Sequence, residues 1–235
     1  MTDPSLRRTL LKPSALAAST ALAALVALTL AAAPPEAMAQ GQRTLLQQLR
    51  ELIRPNPPQA VGGSRGGAAL SVCLVTPLFQ QDPGGTATAE VALPRPTLLA
   101  AQPLNELRLL RDGRIVWQQL ASSTQAIEGP IPWPLDDPLA PGDTLLLRLR
   151  PRGAAGSDFA DIQLIAAGAS EQQRAQALLA DSAARLAAIE AEARAGRAAL
   201  ASELLFAHLD PTPPAISELR AALIAQGCGI TPAAP

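Results

Sequence analysis

The stretch NELRLLRDGRIVWQQLA, Asn105 to Ala121, restricts the fold more than any other part of the chain. Two apolar runs flank Asp112-Gly113, a pair that readily takes the positive φ of a two-residue type I′ turn, so the segment predicts an antiparallel hairpin. Leu107 and Leu109 alternate with Arg108 on the first arm. Ile115 and Trp117 are expected to face inward on the second.

The surroundings supply the hairpin's partners. Between Ala69 and Ala167 short β-type runs recur about every ten residues between turn signals, the spacing of a sandwich. ALSVCLVTPL predicts a first buried strand, and PTLLA a second after the Gly84-Gly85 turn. In TLLLRLRP, Leu145, Leu147 and Leu149 share one strand face, while Arg148 and Arg150 fall on the other. FADIQLIAA closes the set. The expected fold is therefore mainly β, an antiparallel Ig-like β-sandwich over residues 69–168. At Ser170 the period turns helical: Ser170 is a candidate cap, and Leu178, Leu179, Leu186 and Ile189 recur at helical steps. Gly196 would kink or divide this run, DPTPP breaks it, and Thr212 caps a last helix ended by Gly227. Residues 169–230 thus predict a C-terminal helical appendage of two or three helices.

The N-terminus reads as an address. Arg7, Arg8 and Lys12 form a positive region, Ser14 to Ala33 is uncharged and rich in Ala and Leu, and Ala37-Met38-Ala39 places small residues at a cleavage site before Gln40. Residues 1–39 are expected to leave as a signal peptide, with no stable membrane insertion afterwards. Arg7-Arg8-Thr9-Leu10-Leu11-Lys12 resembles a twin-arginine export motif, with Leu6 where that motif prefers Ser or Thr; the general secretory route is the other reading. Residues 40–68 hold a short amphipathic helix, with Leu45, Leu46, Leu49, Leu52 and Ile53 on one face, and a Pro/Gly linker. The expected location is periplasmic or secreted.

Removing residues 1–39 leaves 16 basic and 18 acidic side chains, with no lysine among them. That balance gives no footprint for nucleic acid and no polybasic membrane patch. Cys73 and Cys228 are the two cysteines of the chain. In an oxidising compartment they either pair, closing most of the mature chain into one loop, or remain a buried strand thiol and a loosely held one near the terminus.

With these elements placed, the order SRGGAALSVCLVTPL, PRPTLLAA, LRLLRDGRIVW and LAPGDTLLLRLRP, followed by helices, resembles a cyanobacterial exported family of unknown function. The resemblance spans most of residues 62–227 and implies location and fold. The family pattern carries a second cysteine after the L-x-P-G strand and aromatics in several strands. Here that region reads LRLRPRGAAGSDFA, which leaves Cys228 as the candidate partner of Cys73.

The chemistry-bearing residues are sparse. His208 is the single histidine, so no Ser-His-Asp arrangement can be argued, and no Ser occupies a G-x-S-x-G elbow. His208 fits a helix C-terminus better than a general base. Two cysteines and one histidine do not complete a structural zinc set. Asp136-Asp137 in a Pro-rich loop reads as a solvated turn more than as a calcium site, and Asp158 and Asp161 read likewise. Trp117 and Trp133 read as core anchors rather than a stacking surface. Arg148, Arg150 and Arg152, with Arg108 and Arg111 near them, offer a candidate binding face for an anionic polymer, a polysaccharide or a lipid headgroup. The plainer account of the same row is the solvated face of an antiparallel sheet. The expectation is a non-catalytic accessory or binding module without a metal or cofactor, its partner an envelope protein or glycan. The alternatives are a helical adaptor subunit, with an apolar groove among Leu178, Leu186 and Leu205, and an exported hydrolase.

Overall fold

The computed structural model describes residues 51, 59–60, 70–208 and 210–226. The signal residues Arg7, Arg8, Lys12, Ala37, Ala39 and Gln40, most of the first amphipathic helix, Gly227 and Cys228 lie outside the described residues.

The described residues build a sheet-rich fold with mixed sheets and, after the strands, four helices. The strands are β1 (Gln59–Ala60), β2 (Ser71–Val72), β3 (Leu74–Thr76), β4 (Gln80–Gln81), β5 (Ala87–Val91), β6 (Leu99–Ala100), β7 (Leu104–Arg111), β8 (Arg114–Leu120), β9 (Thr144–Pro151) and β10 (Ala160–Ala166). The helices are α1 (Ala169–Ala180), α2 (Arg185–Arg194), α3 (Ala198–Phe206) and α4 (Pro214–Gln226). Six strands form the main sheet in the order β4-β5-β10-β9-β7-β8. Two further pairs, β1-β2 and β3-β6, lie outside it.

The predicted hairpin is β7-β8. Asp112 (φ 51°) and Gly113 (φ 75°) both take positive φ, as a type I′ turn requires. Leu107, Leu109, Leu145, Leu147 and Leu149 are buried as their alternation predicts. Together with Ile162 and Leu164 of β10 they pack against Leu74, Leu98, Ile127, Trp133 and Leu139. Each buried leucine contributes about 1.5–3 kcal/mol through removal of apolar area from water. Small residues on β5, Ala87 and Ala89, complete that face.

Several expectations need correction. The main sheet is mixed rather than antiparallel, because β5 and β10 run parallel from Ala87 opposite Ile162 to Val91 opposite Ala166. Ile115 does not face inward: a bulge between Leu109 and Leu110 leaves Val116 as an extra residue on β8, which puts Ile115 out of alternation and 48% exposed. Gln59 and Ala60, expected as linker, pair with Val72 and Ser71. Among the described residues four helices follow the strands rather than two or three, since the first run breaks after Ala180 where Asp181 Oδ1 accepts the Ala184 N–H at 2.9 Å. Gly168, not Ser170, precedes α1 as its cap residue. Gly196, by contrast, divides the run as expected, ending α2 ahead of α3. At φ 77° its N–H reaches the Ala193 carbonyl while the Arg197 N–H reaches that of Glu192, the paired bonds of a Schellman motif.

α3 is buried on every side, from Leu200 to Phe206, so it behaves as a core helix and not as a surface appendage. It meets β3, β5 and the other three helices. Leu204 and Leu205 share a second apolar core with Val75, Leu93 and Leu99 from the strand region and Ile189, Leu219 and Leu223 from the helices. Polar bonds tie these layers together. Ser202 Oγ donates to the Val75 carbonyl at 3.1 Å, and Thr97 Oγ1 donates to that of Phe206 at 3.0 Å. Arg220 donates to the Leu205 and Ala207 carbonyls, satisfying the C-terminal end of α3.

Candidate functional site

The inner face of the main sheet is covered by the first core, and its other face carries the polar side chains. β7 contributes Glu106 and Arg108, β9 contributes Arg148 and Arg150, β8 contributes Gln118, and β10 contributes Asp161. Register brings them together: Glu106 lies opposite Arg150, Arg108 opposite Arg148, and Arg148 opposite Asp161. Phe159, just before β10, lies among the arginines. The guanidinium carbons of Arg108, Arg148 and Arg150 stand 4.7, 4.8 and 5.8 Å from the centre of its ring. Cation–π attraction of this kind is worth about 0.5–2 kcal/mol, depending on exposure.

Glu106 is the buried anchor of the cluster at 2% exposure. It accepts hydrogen bonds from Arg108, from Arg150 (Nε at 3.1 Å, Nη2 at 2.8 Å) and from Gln118. Burial pushes its carboxyl upward, but the Arg108 and Arg150 bonds, the Arg108 charge and the Gln118 bond together hold it below the ordinary glutamate value. Asp161 accepts from Arg148 Nε at 2.8 Å. Three guanidinium groups and two carboxylates leave one positive charge. Arg152, the third residue of the expected row, is exposed beyond β9 and its N–H donates to the Pro103 carbonyl at 2.9 Å. Arg148 and Arg150 are thus brought together as expected, and Arg152 extends them at the sheet's end.

Beside the cluster the same face hollows into an open cavity of about 440 Å³, lined by Leu110, Asp112, Thr144, Leu146, Asp161 and Gln163. The face therefore runs from an apolar and hydroxyl-bearing hollow at the hairpin tip to a guanidinium cluster on an aromatic ring. Such a surface can accept anionic oxygens through charged N–H donors and can stack planar or sugar faces.

A second cavity, about 570 Å³, lies among β5, α1 and α3 and is lined by Phe79, Glu90, Glu171, Arg197, Leu200 and Glu203. Glu203 is fully buried, and its two oxygens accept the Ala92 and Leu93 N–H groups at 3.0 and 2.8 Å. Burial pushes this carboxyl up to about 8, overcoming the two backbone bonds, and the nearby Glu90 charge adds to the rise. Glu203 thereby satisfies two N–H groups just after β5 and fastens α3 to the sheet. Among the described residues no group of three or more His, Cys, Asp or Glu could hold a metal ion.

The remaining candidates are scattered. His208 is exposed after α3. Asp136 and Asp137 are exposed in their loop, where the Asp136 carbonyl accepts from Arg95 and the Asp137 carbonyl accepts from Trp133 Nε1 at 3.0 Å. Trp133 is buried in the first core and Trp117 packs partly against it, as core anchors do. Leu205 is fully buried, and Leu178 and Leu186 pack half-buried against the second core, so the three do not line an exposed groove. Cys73 is fully buried and disulfide-bonded; Cys228 is outside the described residues.

Glu106, Phe159 and Glu203 were not singled out by sequence. The first had a signal, because N-E-L-R places Glu106 and Arg108 on one face of a strand whose alternate residues are leucines. Glu203 had a fainter one, a lone carboxylate within the apolar run LASELLFA. No helix of the described residues is long and apolar enough to cross a membrane. The chain matches no protein-family model, no curated protein and no solved structure.

Proposed function

We propose that this is an exported, periplasmic or secreted, non-catalytic binding protein that recognises an anionic envelope glycan through the polar face of its main sheet. The observation that carries the reading is the opposition of Arg108 and Arg148 across β7 and β9, both gathered at the Phe159 ring. Glu106 and Asp161 answer two of the three guanidinium charges, and the one positive charge left over gives an anionic oxygen a place to bind. The adjoining hollow supplies room for a sugar residue. A finer Ig-like reading of the fold is supported by the run β10-β9-β7-β8, which follows the G-F-C-C′ order of a variable-type immunoglobulin sheet. The exported location is supported by the n-region, apolar stretch and A-x-A sequence of residues 1–39.

The test is calorimetric titration of the exported protein with a carboxylated polysaccharide, a sulfated one and a neutral one. Binding to an anionic polymer that weakens with salt, and that falls at least tenfold in the Arg148→Ala/Arg150→Ala protein, is expected. Equal binding to the neutral polymer, or no loss in the double variant, would remove the proposal. N-terminal sequencing of the same preparation should begin at Gln40.

A further inference from the structure

Among the described residues four large apolar side chains are strongly exposed, and three of them share one strand: Ile115 at 48%, Val116 at 44% and Leu120 at 60%, all on β8. Among the described residues β8 is also the last strand of the main sheet, paired with β7 alone. Nothing among the described residues pairs with its outer edge, which presents N–H and C=O groups beside apolar side chains. Natural edge strands are usually blunted by proline, lysine, shortness or a covering element. RIVWQQL contains no proline or lysine, and its one charge, Arg114, sits at its beginning. The opposite edge is blunted: β4 has two residues and leads directly into Asp82-Pro83.

This asymmetry selects the partner. Addition of β8 to the β4 edge of another molecule would be head-to-tail and would meet a strand too short to pair with. Addition of β8 to β8 is self-complementary and closes after two copies. We infer that β8 pairs antiparallel with β8 of a second copy of this chain, joining the two main sheets edge to edge.

The sequence selects a register for that pairing. Centred on Gln118, it sets Val116 opposite Leu120 twice, on either side of a Gln118–Gln118 contact, with Trp117 opposite Gln119. Cross-strand apolar pairs are the favourable unit of sheet association, and this register hides two of the three exposed apolar side chains in each copy. The two Arg114 side chains fall at opposite ends of the joint, so no like charges meet. The bulge at Val116 supports the arrangement, because it frees that residue from pairing with β7. The inference stands on the edge geometry and is independent of the glycan reading.

The experiment is sedimentation velocity on the exported protein between about 1 and 100 μM, with the Val116→Lys/Leu120→Lys and Val116→Glu/Leu120→Glu variants alone and mixed. The parent protein should be a dimer. Each variant alone should be monomeric, with its dissociation constant raised at least tenfold, because the introduced like charges face one another. The equimolar mixture should recover a heterodimer. Far-UV circular dichroism and thermal unfolding matching the parent show that the variants are folded. A monomeric parent at 100 μM overturns the inference, as do variants that stay dimeric. Failure of the mixture to pair overturns the register centred on Gln118.

Discussion

Arg150 reaches across from β9 to Glu106 on β7 and donates both Nε and Nη2 to the same carboxylate oxygen, Oε2, at 3.1 and 2.8 Å. The other oxygen accepts from Arg108 and Gln118, so a single buried carboxylate holds side chains from three adjacent strands. Removing one member of such a buried set strands the others. Glu106→Ala should destabilise the fold by about 3 kcal/mol, because Arg108 and Arg150 lose their counter-charge while remaining partly buried. Glu106→Gln, which keeps the shape but not the charge, should cost less. Urea unfolding measures both, and an alanine variant within about 0.5 kcal/mol of the parent would show the carboxylate to be dispensable.

Two opposed kinds of carboxylate set the pH dependence. Glu203 holds its proton in the folded state up to about 8, whereas its unfolded value is 4.5. The folded state therefore binds more protons between those values. The contribution of Glu203 is fully present below about 4.5 and is lost as pH rises through 8. Glu106 and Glu192 have the reverse sign. For Glu192, burial raises the carboxyl, but the Arg197 hydrogen bond and the charges of Arg174 and Arg197 bring it below 4.5. Their contributions are present above 4.5 and are lost as pH falls through the lowered folded values. Stability should peak in mildly acidic solution and decline toward pH 9, by an amount on the order of a few kcal/mol. Glu203→Gln should flatten the alkaline limb and leave the acid limb in place. Melting temperature against pH for the two proteins decides this, and an unchanged alkaline limb in the variant would refute the assignment.

What the sequence disclosed about the fold follows the range of the forces involved. Asp112-Gly113 and the alternation of Leu145, Leu147 and Leu149 are local patterns, and both appear in the structure as written. The parallel pairing of β5 with β10 joins residues 75 positions apart, Ala87 with Ile162 through Val91 with Ala166, and no turn or period announces it. The break between α1 and α2 hides in a run of good helix formers, where one carboxylate, Asp181, takes the Ala184 N–H out of helical pairing. At the candidate site, the two arginines of β9 were legible because strand alternation fixes their face. Glu106 was legible as a polar neighbour but not as a buried one, since its burial depends on side chains brought from β8 and β9. Ile115 misled because a bulge cancels alternation without leaving a sequence mark.

Cys73 is fully buried within the first strand region and disulfide-bonded, and Cys228 is the one other cysteine in the chain. A bond between them would tie β2 and β3 to the end of the last helix and close a long loop of the unfolded chain. Peptide mapping without reduction should recover the two cysteines in one cross-linked species. The Cys73→Ala/Cys228→Ala protein should lose about 2–5 kcal/mol, less whatever strain the bond relieves on removal. Alkylation of both thiols in unreduced, exported protein would end this assignment.

The junction of α2 and α3 depends on Gly196. Its φ of 77° lies in the left-handed region, yet a Cβ built there meets no atom within 4 Å. A substitution is therefore opposed by backbone conformation alone, without steric conflict. Gly196→Ala should cost about 1–2 kcal/mol, and Gly196→Asn less, because asparagine tolerates this conformation better. The loss should appear in thermal unfolding of the whole fold, since the turn directs α3 into the shared core beneath β3 and β5. An alanine variant as stable as the parent would mean that the α2 terminus re-forms without the left-handed residue, and the paired Gly196 and Arg197 hydrogen bonds would then contribute nothing to the placement of α3.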